Sequence, residues 1–390
     1  MPPDPQSPIK LAILDDYQRI ASKHFDSLKP NFEITTFPDT LPPYNDPSTS
    51  EDVKNQLVER LKPFTIISSM RERTPFPASL LERLPNLQLL LNTARRNKGI
   101  DMEAAKKLGV IVTGTSGKPK RGPDSTTQHT IALILGIARN VAWDDKVVKE
   151  GGWQTTLATG LSEKTLGTVG LGKLGTSVAK IMHLAFGMKI IAWSSNLTQE
   201  AADQQARDNG LATEDEDGEK IFRVVSKEEL FSTADVVSVH LVLGDRSRGI
   251  IGEKDLDLMK KTALFVNTSR GPLVQQDALL SALQKGKIRG AALDVFDLEP
   301  LPEDSQWRSI KWGEEGRSQV LLSPHMGYGE EASCSAGTDT FVLESLVRYD
   351  TRRGKRCCRE MHHVTSRKLY ELAVIASTSS SRTIIWSSIQ

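Results

Sequence analysis

Three apolar runs in the second half of the chain each lead into a side chain able to do chemistry. They are Val266-Asn-Thr-Ser-Arg270-Gly, Leu293-Asp294-Val-Phe-Asp-Leu-Glu299-Pro and Leu322-Ser-Pro-His325-Met-Gly. As strands of an open α/β sheet, they would end where such sheets bind ligands, beyond their carboxyl ends. A guanidinium, a carboxylate and an imidazole would then converge. Reduction of a 2-keto acid has a use for each. A planar guanidinium holds the carboxylate and polarises the ketone through paired hydrogen bonds. An imidazole titrates near neutrality and can donate the proton, and a carboxylate beside it favours the charged ring and fixes its orientation. Spacing alone does not establish the triad. Taken singly, Arg270 reads as a surface charge after a strand, Glu299 before Pro300 as turn chemistry, and His325 after Pro324 as a loop or capping histidine. His129, His183 and His240 fall within predicted helices or a strand and read as packed or solvated.

The stretch that would position these groups runs from Lys164 to Asn196. A short apolar run, Leu166 to Val169, leads into Gly170-Leu-Gly172-Lys-Leu-Gly175. A helical pattern follows, with Leu174, Val178, Ile181 and Phe186 on one face, and then a second apolar run, Ile190 to Trp193. Strand, glycine turn, helix and strand form the context a dinucleotide fingerprint requires. Gly170 serves the tight turn, Gly172 lets the backbone approach a pyrophosphate, and Gly175 lets helix and strand lie close. Backbone N–H groups near Lys173 and Leu174, helped by the helix dipole, would face the pyrophosphate.

At 390 residues the chain is long enough for two domains. A net charge of +1 gives no reason to expect nucleic acid or an anionic membrane as partner. The longest apolar stretch, Ile131 to Ala138, falls far short of the ~20 residues of a membrane span. The start, MPPDPQSPIK, lacks the basic-then-apolar order of a secretory signal. The cysteines, Cys334, Cys357 and Cys358, all lie near the C-terminus, so no disulfide framework is expected for the body and the cytoplasm is the expected compartment. Strands predicted at Ile9–Leu14, Phe32–Phe37, Phe64–Ser69, Leu87–Leu91 and Val110–Val112 alternate with helices at Glu51–Leu61, Leu80–Leu84 and Met102–Leu108, which implies a parallel sheet. A long helix is predicted over Ser125–Val148 and a polar helical segment over Thr198–Lys220. Further strands are expected at Val236–Leu241, Ala263–Asn267, Ala291–Phe296 and Val320–Leu322, with a helix at Asp277–Gln284.

The sequence resembles the D-isomer-specific 2-hydroxyacid dehydrogenase family, which includes hydroxypyruvate, glyoxylate and phosphoglycerate dehydrogenases. The segments that carry the likeness are STTQHTIALILGIAR (125–139), GTVGLGKLG (167–175), ADVVSVHLVL (234–243), LFVNTSRGPLV (264–274), GAALDVFDLEP (290–300) and LLSPHMGY (321–328). Weaker similarity reaches back through MRERTPFP and LQLLLNTARRNKGID. The resemblance implies an α/β fold of two Rossmann-like domains, a flavodoxin-like catalytic domain with an NAD(P)-binding Rossmann domain inserted in it. The expected division is 1–122 for the first part of the catalytic domain, 123–327 for the cofactor domain, 328–356 for a segment returning to the catalytic domain and 357–390 for an atypical tail. It further implies Arg270 binding and polarising the substrate, His325 exchanging the proton, and Glu299 supporting His325. Thr268 and Asp294 would contact the cofactor, with Gly327 close by. The substrate carboxylate would rest on backbone amides of the loop Thr93 to Asn97, including Ala94 and Arg95, with Arg71 nearby. A homodimer acting on a small 2-keto or 2-hydroxy acid is expected. The alternative is an inactive or cofactor-sensing member, a pseudoenzyme or a scaffold like the co-repressors of this architecture.

Three departures from the family pattern stand out. NAD-specific members place an acid after the second strand of the fingerprint unit to bind both ribose hydroxyls; here that residue is Ser194, with no arginine beside it. NAD(H) with weak discrimination against NADP(H) is therefore expected. The hinge loop Gly114 to Gly122 carries Lys118, Lys120 and Arg121. From about Ala332 the pattern fades into a basic run with adjacent cysteines and a serine-rich end, read as a frame error or unspliced read-through in the gene.

Overall fold

The computed structural model describes residues 8–29, 32–94, 97–114 and 122–330. They form two compact units, one within Met1–Lys118 and one within Pro119–Glu330. The expected returning segment beyond residue 330, the tail, Arg95, Lys118, Lys120 and Arg121 lie outside the described residues.

In the first unit, short apolar runs become strands because both faces of a parallel sheet are covered, so unbroken hydrophobicity is tolerated. β1 (Ile9–Ile13), β2 (Phe32–Thr36), β3 (Ile66–Ser69), β4 (Leu89–Asn92) and β5 (Ile111–Gly114) pair in parallel in the order β2-β1-β3-β4-β5. That is the flavodoxin-like order. All four residues of β3 and of β4 are buried.

The second unit is a seven-stranded parallel sheet in the order β12-β11-β10-β9-β6-β7-β8. Its strands are β6 (Thr165–Val169), β7 (Lys189–Trp193), β8 (Phe222–Val224), β9 (Val236–Val239), β10 (Leu264–Asn267), β11 (Gly290–Leu293) and β12 (Gln319–Leu322). Alternate residues feed opposite layers of core. Val237, Val239, Phe265 and Leu293 join one cluster, and Leu166, Val236, Leu264 and Val266 join the other. The strand order reverses between β9 and β6, the switch point at which doubly wound sheets open a ligand crevice. The two domain architectures expected from the resemblance are those present.

Several elements differ from the sequence expectation. The predicted helix over Ser125–Val148 is two helices, Ser125–Ala138 and Val141–Lys149. Asn140 breaks it in the left-handed region (φ 56°), a conformation asparagine adopts at low cost, and its side chain donates to Thr156 Oγ1 at 3.0 Å. The polar segment after Thr198 is helical only over Gln199–Asp208. Gly210, at φ 73°, ends it, with Gly210 N–H donating to Arg207 and Leu211 N–H to Ala206, a Schellman closure. In the fingerprint helix, Lys173–Phe186, the buried face is Gly175, Val178, Ala179 and Met182. Leu174, Ile181 and Phe186, expected on that face, are only half-buried. Strand β8 and the helices Lys227–Thr233 and Glu253–Leu258 had no counterpart in the sequence reading.

Candidate active site

Strands β10, β11 and β12 are neighbours whose last residues are in register, Asn267 with Leu293 and Leu293 with Leu322. The residues that follow each strand therefore emerge side by side, about 4.8 Å apart at the backbone. After β10, Asn267 builds the turn. Its Oδ1 accepts the Ser269 N–H at 3.0 Å and its Nδ2 donates to the Arg270 carbonyl at 3.0 Å, while Ser269 Oγ donates to Val239 O at 2.9 Å. Arg270 stands on this turn, half-buried, with Nη1 donating to the Ser269 carbonyl at 2.7 Å.

After β11, Asp294 is wholly buried and accepts from the backbone N–H of Met326 at 2.8 Å and of Gly327 at 3.0 Å. Burial works to raise its carboxyl, but donors from His129, Ser323 and the Met326 amide outweigh it and hold the group below the ordinary carboxylate range. The residue just before those two amides is His325, in the left-handed region at φ 55°. A non-glycine residue there costs on the order of 1 kcal/mol or more. Consecutive amides converging on one carboxylate form an anion-binding nest, which offsets the cost. The His325 ring meets Glu299, with Nδ1 2.5 Å from Oε2. Glu299 Oε1 in turn accepts the Phe296 N–H at 2.9 Å. The imidazole and the carboxylate, separated in sequence by 26 residues, thus form a pair fixed at both ends. Tyr328 packs edge-on against the ring, 5.8 Å between centroids.

His129, expected to be merely packed or solvated, is part of this arrangement. It lies in the second turn of the helix Ser125–Ala138, with Nε2 3.0 Å from Asp294 Oδ1 and 3.0 Å from Ser323 Oγ. A signal was present in the sequence: the start of an otherwise apolar helix carries Thr126, Thr127, His129 and Thr130 together. Thr130 Oγ1 and Thr268 Oγ1 are 2.7 Å apart, so the Thr268 hydroxyl is engaged within the protein. His183 Nδ1 lies 3.0 Å from the Met188 carbonyl, and His240 Nε2 lies 2.9 Å from Ser238 Oγ. Burial pushes His240 down to about 4, leaving it neutral.

The glycine turn after β6 suits a dinucleotide pyrophosphate. Gly170 has φ 104°, closed to most side chains, and its N–H donates to Trp193 O at 2.8 Å. A Cβ on Gly175 would lie 2.2 Å from the Gly170 carbonyl oxygen, whereas one on Gly172 would meet nothing within 4 Å. The space in front of Gly172 is open, and among the described residues no side chain caps the helix that starts at Lys173. Lys173 points to solvent, 3.9 Å from the Asp124 carboxylate, and Leu174 is half-buried. Ser194 follows β7, next to β6, and its carbonyl accepts the Leu197 N–H at 3.2 Å.

In the first unit, Arg71 (φ 49°) and Ala94 follow β3 and β4. The Arg71 N–H donates to Thr93 Oγ1 at 3.1 Å, Asn97 Nδ2 donates to the Arg71 carbonyl, and Asn92 Nδ2 donates to Ala94 O at 3.1 Å. The first two bonds join the two loops, and the third closes the turn after β4. The Thr93 N–H, expected among the substrate-binding amides, is committed to Ser69 O at 3.1 Å.

The chain is similar to known proteins over both units. Residues 131–327 match the D-isomer specific 2-hydroxyacid dehydrogenase, NAD binding domain, and residues 13–225 match the catalytic domain of the same name. The glyoxylate reductase of Korarchaeum cryptofilum is 30% identical over 87% of this chain and 92% of its own. That of Aeropyrum pernix is 39% identical over 63% of this chain and 68% of its own. Among solved structures, the phosphoglycerate oxidoreductase from Vibrio cholerae superposes with a TM-score of 0.72 at 35% identity, covering 88% of this chain and 99% of that one.

Proposed function

We propose, on the premise that this chain belongs to the D-isomer specific 2-hydroxyacid dehydrogenase family and uses NAD(H), that Arg270, Glu299 and His325 carry the interconversion of a 2-keto acid and its D-2-hydroxy acid. The cofactor, when bound, supplies or accepts the hydride. The protein does the rest. Arg270 binds the substrate carboxylate and draws charge toward the ketone oxygen. His325, with Nδ1 turned to Glu299, exchanges the proton at Nε2. Glu299 stabilises the imidazolium in the reductive direction and fixes the ring. The observation that supports this most is the His325–Glu299 contact of 2.5 Å, with Glu299 itself anchored by the Phe296 amide.

Gly170, Gly172, Lys173, Leu174 and Gly175 would hold the pyrophosphate at backbone atoms, and Asp294, Thr268 and Gly327 would line the nicotinamide end. Ser194 in the place of an acid favours NAD(H) with weak discrimination against NADP(H). Catalytic efficiencies differing by more than about a thousandfold would contradict that. Homodimerisation belongs to the same reading, supported by the exposed Val141, Val148, Trp153 and Leu157 of the second unit. Light scattering of Leu157→Asp should then show monomer.

The deciding experiment is a panel of glyoxylate, hydroxypyruvate and bulkier 2-keto acids with NADH and NADPH, run beside His325→Ala. The variant should lose turnover by about a thousandfold while binding NADH as the parent does. Binding of NADH by the parent without turnover of any acid would leave the non-catalytic alternative standing.

A further inference from the structure

We propose that His129 is a positioning residue: through Asp294 it holds the backbone turn that presents His325. The inference rests on the reading of His325 as the proton-exchanging group. The turn has a reason to need holding. His325 occupies the left-handed region, and the amides of Met326 and Gly327 both point at one carboxylate. A carboxylate that serves two amides, one on each oxygen, holds them better the less its plane can tilt, and each further donor narrows that tilt. His129 and Ser323 supply further restraint. The His129 Nε2–H is shared between Asp294 Oδ1 and Ser323 Oγ, 3.0 Å from each, and the Ser323 hydroxyl also donates to the carboxylate. Oδ1 thus meets His129 and Met326, and Oδ2 meets Gly327.

The helix that carries His129 is fixed to the same strand ends at two further points. Thr130 meets Thr268 after β10. A Cβ on Gly327 would lie 3.5 Å from Thr126 Cγ2 and 3.8 Å from His129 Cδ2, so helix and turn are in contact. His129 is therefore the polar member of a packed seam between the start of this helix and the turn after β12. Two features separate it from an ordinary buried histidine. Its partner is a wholly buried carboxylate, and that group's remaining donors are the Ser323 hydroxyl and the two amides beside His325.

The test compares His129→Ala with His129→Gln, whose amide restores an N–H to Asp294, and with Ser323→Ala. His129→Ala should lower kcat by between about tenfold and a hundredfold with the KM of the keto acid held within about twofold, the signature of a misplaced group rather than lost binding. His129→Gln should recover most of the loss, and Ser323→Ala should show a smaller version of it. Hydrogen exchange of the Met326 and Gly327 amides, which does not depend on turnover, should speed up in His129→Ala and return toward the parent rate in His129→Gln. Unchanged kcat and unchanged exchange in His129→Ala would overturn the proposal. So would a fall in kcat matched by a fall in thermal midpoint that His129→Gln does not repair, since that marks a general packing role. If the parent turns over no keto acid, the catalytic reading of His325 fails, and the exchange data still decide whether His129 holds the turn.

Discussion

Both units bury an aspartate just past the end of a parallel strand, and the two carboxyls are pushed in opposite directions. Asp294, after β11, is held below the ordinary range; Asp15, two residues past β1, is pushed up by burial to about 6 although Thr40, Thr74, Arg73 and the Met70 backbone all act to lower it. Exposure does not separate them, since Asp294 is 0% and Asp15 1% exposed. The donors do. Asp294 accepts from His129, from Ser323 and from two backbone N–H groups, and a backbone N–H can only donate and so demands an acceptor. Asp15 faces the hydroxyls of Thr40 and Thr74, and a hydroxyl can turn to accept from a protonated acid as readily as it donates to an ionised one. At Asp294 the imidazole, hydroxyl and amide donors together outweigh burial, whereas at Asp15 burial outweighs the donors, of which the two hydroxyls come first.

The largest effect should come from removing the fixed charge. In Asp294→Asn, one of the two amides beside His325 faces an NH2 group instead of an oxygen, leaving a buried donor unpaired. Turnover should fall by about a hundredfold or more, and exchange of the Met326 and Gly327 amides should accelerate. Retention of turnover within about threefold of the parent would mean that shape, and not charge, holds the turn.

The next effect falls on stability in the first unit. Asp15 has a higher pKa folded than unfolded, so the native state binds the proton more tightly. The stabilisation is complete below the unfolded value near 4 and is lost as pH rises through about 6. The span corresponds to roughly 3 kcal/mol at most. Hydrogen exchange of peptides from β1 and β3, corrected for intrinsic rates, should show the opening free energy falling over that window. Asp15→Asn should flatten the dependence. A slope that survives the substitution would assign it to another group.

How far these features were legible follows from the range of the interactions. Parallel strands covered on both faces leave unbroken apolar runs, so β1, β3, β6, β9 and β10 could be read from hydropathy. The glycine turn could be read because Gly170 and Gly175 have steric reasons to be glycine. The Asn140 break was hidden, since apolar periodicity says nothing about a left-handed residue. His129 was hidden for another reason. Its partners lie 165 and 194 residues away, and no local pattern reports a contact of that separation. The triad residues are also separated in sequence, His325 and Glu299 by 26 residues, but each sits at a recognisable strand end, and His129 sits inside a helix.

The smallest effect sharpens the comparison most, because it alters the hydroxyl shell without touching the carboxylate. Thr74 Oγ1 lies 3.2 Å from both oxygens of Asp15, a long bond to each and weaker than the Thr40 contact. Thr74→Val removes a donor to the ionised form and also an acceptor for the protonated one. If hydroxyls serve both states equally, the two losses cancel and the midpoint of the stability profile stays near 6. If Thr74 serves chiefly as a donor, the ionised form loses more, and the midpoint moves upward. The donor role acts to lower the Asp15 pKa in the folded state, so the upward shift is the expected result, with a loss of about 1 kcal/mol above pH 7 and less below pH 5. An equal loss at both pH values would show a hydroxyl shell indifferent to charge, and a downward shift would contradict the donor role of Thr74 altogether.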